Sequence, residues 1–150
     1  MTRQPVDPQT LTIKVPANEW MSSNDRMHWR ARASRTKRLR RRGWLEAHKN
    51  RLFPMRRAFV IVSVQYATSG RADPANAYPT VKALVDGLTD FGVLTDDDSK
   101  HLPAMTFKRA PGKCPKGWHV ITLTLVEEDE TKEGGDDGKG ILPREADDLE

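Results

Sequence analysis

Two groups of oxygen-bearing side chains flank one short amphipathic stretch of this 150-residue chain: Asp73 and Asn76 precede it, and Asp96, Asp97 and Asp98 follow it. Three consecutive aspartates repel one another and bring no bulk to a core. They form either a solvated acidic turn or, together with Asp73 and Asn76, a site for a hard cation. Mg2+ takes carboxylate and carbonyl oxygens in octahedral geometry and keeps several waters. Oxygen ligands on both sides of a helix, in an otherwise basic chain, suggest metal-assisted phosphodiester chemistry. Spacing alone leaves both readings open.

The elements that would position these groups are legible. Between them, Val81, Leu84, Val85, Leu88 and Phe91 recur at three- and four-residue spacing, the apolar face of a helix. Pro79 suits its first turn, where a missing N–H costs no intrahelical bond. Gly92 suits its stop, because a left-handed residue after the helix costs glycine little. The pattern predicts a helix over residues 79–91. Upstream, residues 57–67 are the clearest strand. Phe59, Ile61, Ser63 and Gln65 on one face alternate with Ala58, Val60, Val62, Val64 and Tyr66 on the other, so the strand is expected to be central or nearly so. It runs into Thr68-Ser69-Gly70 and delivers Asp73 near the sheet's end, where a rigid strand holds a ligand better than a free loop.

Residues 71–100 resemble the RusA family of Holliday-junction resolvases, especially its bacteriophage members. The family pattern is an Asp-x-Asp-Asn loop, a lysine on a helix that ends near glycine, and a paired-aspartate turn. Here it is carried by Asp73-Pro74-Ala75-Asn76, then by Lys82, Ala83, Leu84, Asp86, Gly87 and Leu88, then by Phe91-Gly92-Val93-Leu94-Thr95-Asp96-Asp97. Ser23-Asn24-Asp25-Arg26 adds fainter support. Two departures stand out: Ala75 occupies the place of the second loop aspartate, and three extra residues separate Asn76 from Lys82. The first removes an acidic ligand, which Asn76 or Asp98 would have to replace.

The resemblance implies a symmetric homodimer and an endonuclease that uses Mg2+, with Mn2+ able to substitute. Its substrates would be Holliday junctions and related branched DNA in recombination, repair and replication, and its setting the cytoplasm of a bacterial host, encoded by a phage or prophage. It implies Asp73, Asp97 and Lys82 as catalytic residues. The two aspartates would hold the metal, with Asn76, Asp96 and Asp98 as further candidates. Lys82 would offset charge on the phosphate or leaving group; Asp86, at i+4, either orients it or forms an ordinary surface pair. Arg71 would contact a neighbouring phosphate. Two other functions fit the same residues: a DNA-binding module of the same fold whose site is degraded at Ala75, and a general flap or fork nuclease.

The charge distribution points the same way. The chain carries a net +4, but residues 127–150 hold 11 acidic and 3 basic residues. The other 126 residues therefore keep 22 of the 25 basic and 10 of the 21 acidic ones. A body that positive attracts polyanions, nucleic acid first among them. Residues 26–42 contain nine cations and no acidic residue: Arg26, Arg30, Arg32, Arg35, Lys37, Arg38, Arg40, Arg41 and Arg42. Alanine, arginine and lysine favour helix, so residues 29–51 are expected to be helical, with Gly43 as an interruption or bend. Trp29, Ala33, Thr36, Trp44 and Ala47 roughly share one face. Arg35, Lys37, Arg38, Arg40, Arg41 and Arg42, with Arg71, are the DNA-binding candidates, giving affinity through phosphates without sequence preference.

Elsewhere, residues 11–15 alternate as a strand that Pro16 ends, and residues 18–27 are turn-like, with Ser22, Ser23 and Asn24 as possible caps. Phe53-Pro54 breaks the basic helix. Residues 100–110 alternate weakly and residues 118–126 clearly, which suggests an antiparallel hairpin with a lysine-rich loop. The four histidines sit at no metal-ligand spacing, although His101 lies close to Asp97. The four tryptophans read as packing residues. Cys114 is the single cysteine, which excludes an internal disulfide or a cysteine-based zinc site. The longest apolar run, residues 59–64, is too short to span a bilayer, and no secretory signal is evident. The expected architecture is α/β, a small mixed sheet with two main helices. Its domain would span residues 1–127 and be followed by a disordered acidic tail over residues 128–150.

Overall fold

The computed structural model describes residues 6–94 and 103–128. Their order is β1 (Gln9–Pro16), α1 (Trp29–Lys49), β2 (Ala58–Gln65), a 3-10 turn (Pro74–Ala77), α2 (Tyr78–Phe91), β3 (Met105–Arg109) and β4 (Trp118–Glu127). The fold is α/β, a four-stranded mixed sheet with two helices, as expected. Residues 129–150 of the proposed tail, His101 and the aspartates at 96–98 lie outside the described residues.

The strands lie in the order β1-β4-β2-β3. β4 runs antiparallel to both β1 and β2, whereas β3 is parallel to β2. The expected β3–β4 hairpin therefore does not form: β2 lies between them. α2 supplies the crossover that a parallel pair requires. The physical reason lies in the pattern of β4. Its Ile121, Leu123 and Leu125 are buried, as befits an inner strand, whereas β3 has only half-buried Met105 and Phe107 and takes the edge.

One face of the sheet builds the core. Leu11, Ile13 and Val15 of β1, Ala58, Val60, Val62 and Val64 of β2, and the buried residues of β4 meet Leu39 and Ala47 of α1 and Val81, Leu84, Val85 and Leu88 of α2. Each large aliphatic side chain so buried contributes about 1.5–3 kcal/mol relative to exposure. The opposite face is only half-covered. Phe59, Ile61 and Ser63 are partly exposed there, and Thr10 and Thr12 pair with Thr124 and Thr122. The expected central place of β2 holds.

α1 is continuous through Gly43, which neither interrupts nor bends it into separate elements. Its buried line is Leu39, Gly43 and Ala47, not the face through Trp29 and Ala33, both of which are exposed. Gly43 is there because α2 crosses at backbone distance. A Cβ on Gly43 would strike the Leu84 carbonyl oxygen and sit 3.0 Å from its carbon. Gly87 mirrors it: a Cβ there would strike the Arg40 carbonyl oxygen and lie 2.8 Å from the Trp44 nitrogen. α2 then stops at Gly92, whose φ of 107° lies in the left-handed region and whose N–H reaches the Leu88 and Thr89 carbonyls.

Within an exposed helix, Gly→Ala stabilises by about 1 kcal/mol. At Gly43 and Gly87 the sign should reverse, because backbone cannot yield as a flexible side chain can. Gly43→Ala and Gly87→Ala should each lower the thermal midpoint by an amount corresponding to about 1–3 kcal/mol. Ser34→Ala, on the exposed face of α1, should leave it unchanged or slightly raised; a thermal melt of the three variants checks this.

Candidate functional site

β2 delivers its connection to a fixed place. Arg109, at the end of the parallel neighbour β3, donates to the Thr68 and Gly70 carbonyls at 2.8 and 2.6 Å. Its guanidinium also lies over the Tyr66 ring, 4.8 Å from the centroid. Three residues past Gly70, Asp73 caps the 3-10 turn: its Oδ1 accepts from the Ala75 N–H at 3.1 Å and its carbonyl from the Asn76 N–H at 2.9 Å. The other carboxylate oxygen makes no hydrogen bond among the described residues.

The facing wall comes from residues 20–24, joined to this turn by buried bonds. Thr80, in the first turn of α2 and fully buried, accepts from the Met21 N–H and donates to the Met21 carbonyl, both at 2.8 Å. The Ser23 N–H donates to the Asn76 carbonyl at 2.9 Å. Asp25 Oδ2 accepts from the Ser22 N–H at 2.8 Å, and Ser22 Oγ from the Asn24 N–H at 3.3 Å, which shapes the loop. The result is a cleft of about 580 Å3 lined by Trp20, Ser22, Asn24, Tyr66, Arg71, Ala72, Asp73, Asn76 and Ala77. Two stretches some fifty residues apart, each singled out in the sequence, are thereby brought to one place.

Chemically the cleft offers one carboxylate, two side-chain amides, two hydroxyls (Ser22 and the phenol of Tyr66) and a guanidinium. Its oxygen donors are those a hard divalent cation takes, and Asp73 is the only carboxylate among its lining residues. Among the described residues no group of three or more His, Cys, Asp or Glu side chains is arranged to hold a metal. Asp96, Asp97 and Asp98 fall outside them. The described flanks of that stretch are held beside the first half of β2: Leu94 bridges Met55, and the Ala104 carbonyl accepts from the Val60 N–H. Lys82 does not line the cleft; nearly half exposed, it pairs with Asp86 at 3.1 Å. Ser22 is a lining donor that the sequence marked only as a possible cap; Asn24 was marked both as a possible cap and as faint support for the resemblance.

The basic run divides into two sets. Arg42 forms a two-pronged pair with Glu19 at 2.8 and 2.9 Å, partly buried. Arg40 does the same with Asp90 at 2.5 and 2.8 Å, and that bond raises the guanidinium and holds the Asp90 carboxyl below its usual range. Arg35 donates to the Trp20 carbonyl at 2.6 Å. These three fasten α1 to the cleft wall and to α2. Anions absent from the run itself are therefore supplied across space. Lys37, Arg38 and Arg41 are exposed and have no partner among the described residues; with Arg30 they follow the outward side of α1.

Behind the cleft, His119 continues the core-facing side of β4. Trp20 stacks on it at 3.7 Å with an angle of 6°, and Tyr66 meets it edge-on at 5.5 Å. Its Nδ1 is buried without a hydrogen-bond partner among the described residues, and burial pushes its pKa below the ordinary 6.5. This aromatic wall was not visible in the sequence, because the register that sets Val15 opposite His119 is a tertiary fact. The chain matches no protein-family model and no curated protein.

Two measurements test this assignment of roles. Arg42→Ala leaves Glu19 buried and unpaired, so it should cost roughly 1–3 kcal/mol of stability. Arg41→Ala, one residue away but exposed, should cost nothing measurable in the same denaturation series. For His119, the fold favours the neutral ring, so its contribution is complete above the unfolded value near 6.5 and is lost as pH falls below it. The thermal midpoint should therefore fall between about pH 7 and pH 5, and His119→Phe should remove part of that fall.

Proposed function

We propose that this protein is a metal-dependent endonuclease of the RusA type, acting on branched DNA such as four-way junctions. One observation carries the reading. The Ser23-Asn24 segment and the Asp73–Asn76 turn, the two stretches that resemble the family, meet in a single cleft beside Arg71, at the end of a central strand. An outward helix side of unpaired cations on the same molecule supports a polyanionic substrate. The finer parts of the reading are a symmetric homodimer and a phage or prophage origin in a bacterial host. Two-fold symmetry suits a junction that is resolved by cutting two equivalent strands.

In this reading Asp73, with Asn76 and Asn24, presents oxygen donors to Mg2+; Asp97, Asp96 and Asp98 are the further candidates from the sequence, and the described residues on either side of them, Leu94 and Ala104, lie beside the first half of β2, the end away from Asp73. Bound there, Mg2+ would lower the pKa of a water and stabilise charge on the scissile phosphate. Arg71 holds a phosphate at the mouth of the cleft. Lys37, Arg38 and Arg41 neutralise phosphates farther along the duplex, which makes binding fall steeply with salt. Lys82 offsets charge on the substrate only if it exchanges Asp86 for a phosphate.

A second reading, DNA binding without cleavage, is favoured by the single carboxylate in the cleft and by Ala75 in place of an acidic residue. Incubation with junction, fork, flap and duplex, with and without Mg2+, separates the two. Cleavage that requires the metal supports the nuclease, and binding without cleavage supports the alternative. Equal cutting of flaps and junctions points to a general branched-DNA nuclease. Asp73→Asn should reduce cleavage by several orders of magnitude while metal-free binding persists or tightens, since the lost charge repelled phosphate. Asp7→Asn, an exposed carboxylate outside the cleft, is the control. Asp90 is unsuitable for that purpose because it anchors Arg40.

A further inference from the structure

Trp29 is 66% exposed, the most exposed large apolar side chain among the described residues. It opens α1, and residues 25–28 alone separate it from Asn24 of the cleft. One cation and one imidazole contact its ring. The Arg30 guanidinium lies 5.1 Å from the ring centroid, and the His28 ring stacks at 5.8 Å with an angle of 26°. His28 is itself held, because its Nδ1 accepts from the Arg30 N–H at 3.1 Å. Arg26 precedes this group; Lys37, Arg38 and Arg41 lie farther along α1 on its outward side, turned away from Trp29 around the helix axis, none with an anionic partner among the described residues.

An exposed aromatic ring with Arg30 over it and Arg26 close by in sequence matches one class of ligand better than others. Non-sequence-specific binding of single strands combines a positive track for the backbone with an aromatic platform for a base. A paired base inside a duplex has both faces covered by its neighbours and offers such a platform nothing. An unpaired base at a branch point offers a free face. A second copy of the same surface would set like charges against each other, which disfavours self-association through it.

We propose that Trp29 is a stacking platform for an unpaired base of branched DNA, with Arg26 and Arg30 taking the flanking phosphates. The inference rests on the DNA reading above and adds to it a source of preference for branched over fully paired DNA, separate from the cleft.

The test is the ratio of affinities for a forked duplex with unpaired thymine arms and for a fully paired duplex of equal phosphate count. It is measured at one salt concentration without divalent metal, for wild type, Trp29→Ala and Trp29→Phe. Wild type should prefer the fork, Trp29→Ala should lose roughly tenfold or more of that preference, and Trp29→Phe should recover most of it. Fork binding should also quench indole fluorescence in wild type more than in Trp29→Phe. An unchanged ratio in Trp29→Ala, with DNA binding intact, overturns this inference alone. Wild type that binds neither DNA overturns the DNA reading and the inference with it. A change of oligomeric state in Trp29→Ala, read by sedimentation, would assign the ring to a second copy and overturn the stacking role. Because Trp29 is exposed, a circular-dichroism melt of Trp29→Ala should match that of wild type and show that the fold is intact.

Discussion

The approach of α1 and α2 at backbone distance governs the rest of the molecule. Gly43 lies beneath the Leu84 carbonyl and Gly87 beneath the Arg40 carbonyl, so each helix supplies the gap that the other fills. Larger residues would push the helices apart, and two other contacts depend on their separation. One is the Arg40–Asp90 pair across the helices; the other is the Thr80 hydroxyl, which holds Met21 through two hydrogen bonds. With Met21 held, residues 22–24 reach the Asp73–Asn76 turn. The cleft is thus a consequence of helix packing as much as of its own lining.

The same geometry decides what the arginines do. A run of cations without anions in sequence invites the conclusion that all of them face solvent. Folding brings Glu19 and Asp90 to two of them and backbone carbonyls to Arg35 and, at longer range, Arg32. Partly buried pairs of the Arg42–Glu19 kind are more costly to break than exposed ones, so the run combines attachment with surface charge. What separates the two uses is angular position. Arg35 and Arg42 lie toward the cleft wall and Arg40 toward α2, whereas Lys37 and Arg41 lie opposite the buried Leu39–Gly43–Ala47 line.

How much of this was legible depended on how local each signal was. Alternation in β1, β2 and β4 and the periodicity of α2 are local, and those elements appear within a few residues of their expected places. Strand order is not local: nothing in residues 100–126 discloses that β3 joins β2 in parallel while β4 inserts between β1 and β2. The role of Gly43 was hidden for the same reason, since a glycine that admits a neighbouring helix and a glycine that breaks its own look alike in sequence. Asp73, Asn76 and Arg71 were marked by residue type and do share the cleft. Trp20 and His119 were not marked, because each acquires its neighbour only through the β1–β4 register.

Position 75 shows where the constraints of folding and of chemistry part. Ala75 donates its backbone N–H to Asp73, a bond that any residue but proline could make, and its own side chain is exposed. Nothing in the packing of the turn calls for alanine there, and nothing would exclude an aspartate. Asp73 is different: its carboxylate caps the turn, so its presence has a structural cause whether or not it meets a cation. A carboxylate that also caps a turn is weaker evidence for chemistry than one with no structural duty. The functional weight therefore falls on what surrounds Asp73. Arg71, Asn24 and Asn76 line the same cleft from two distant stretches of chain, and capping the turn explains neither Arg71 nor Asn24.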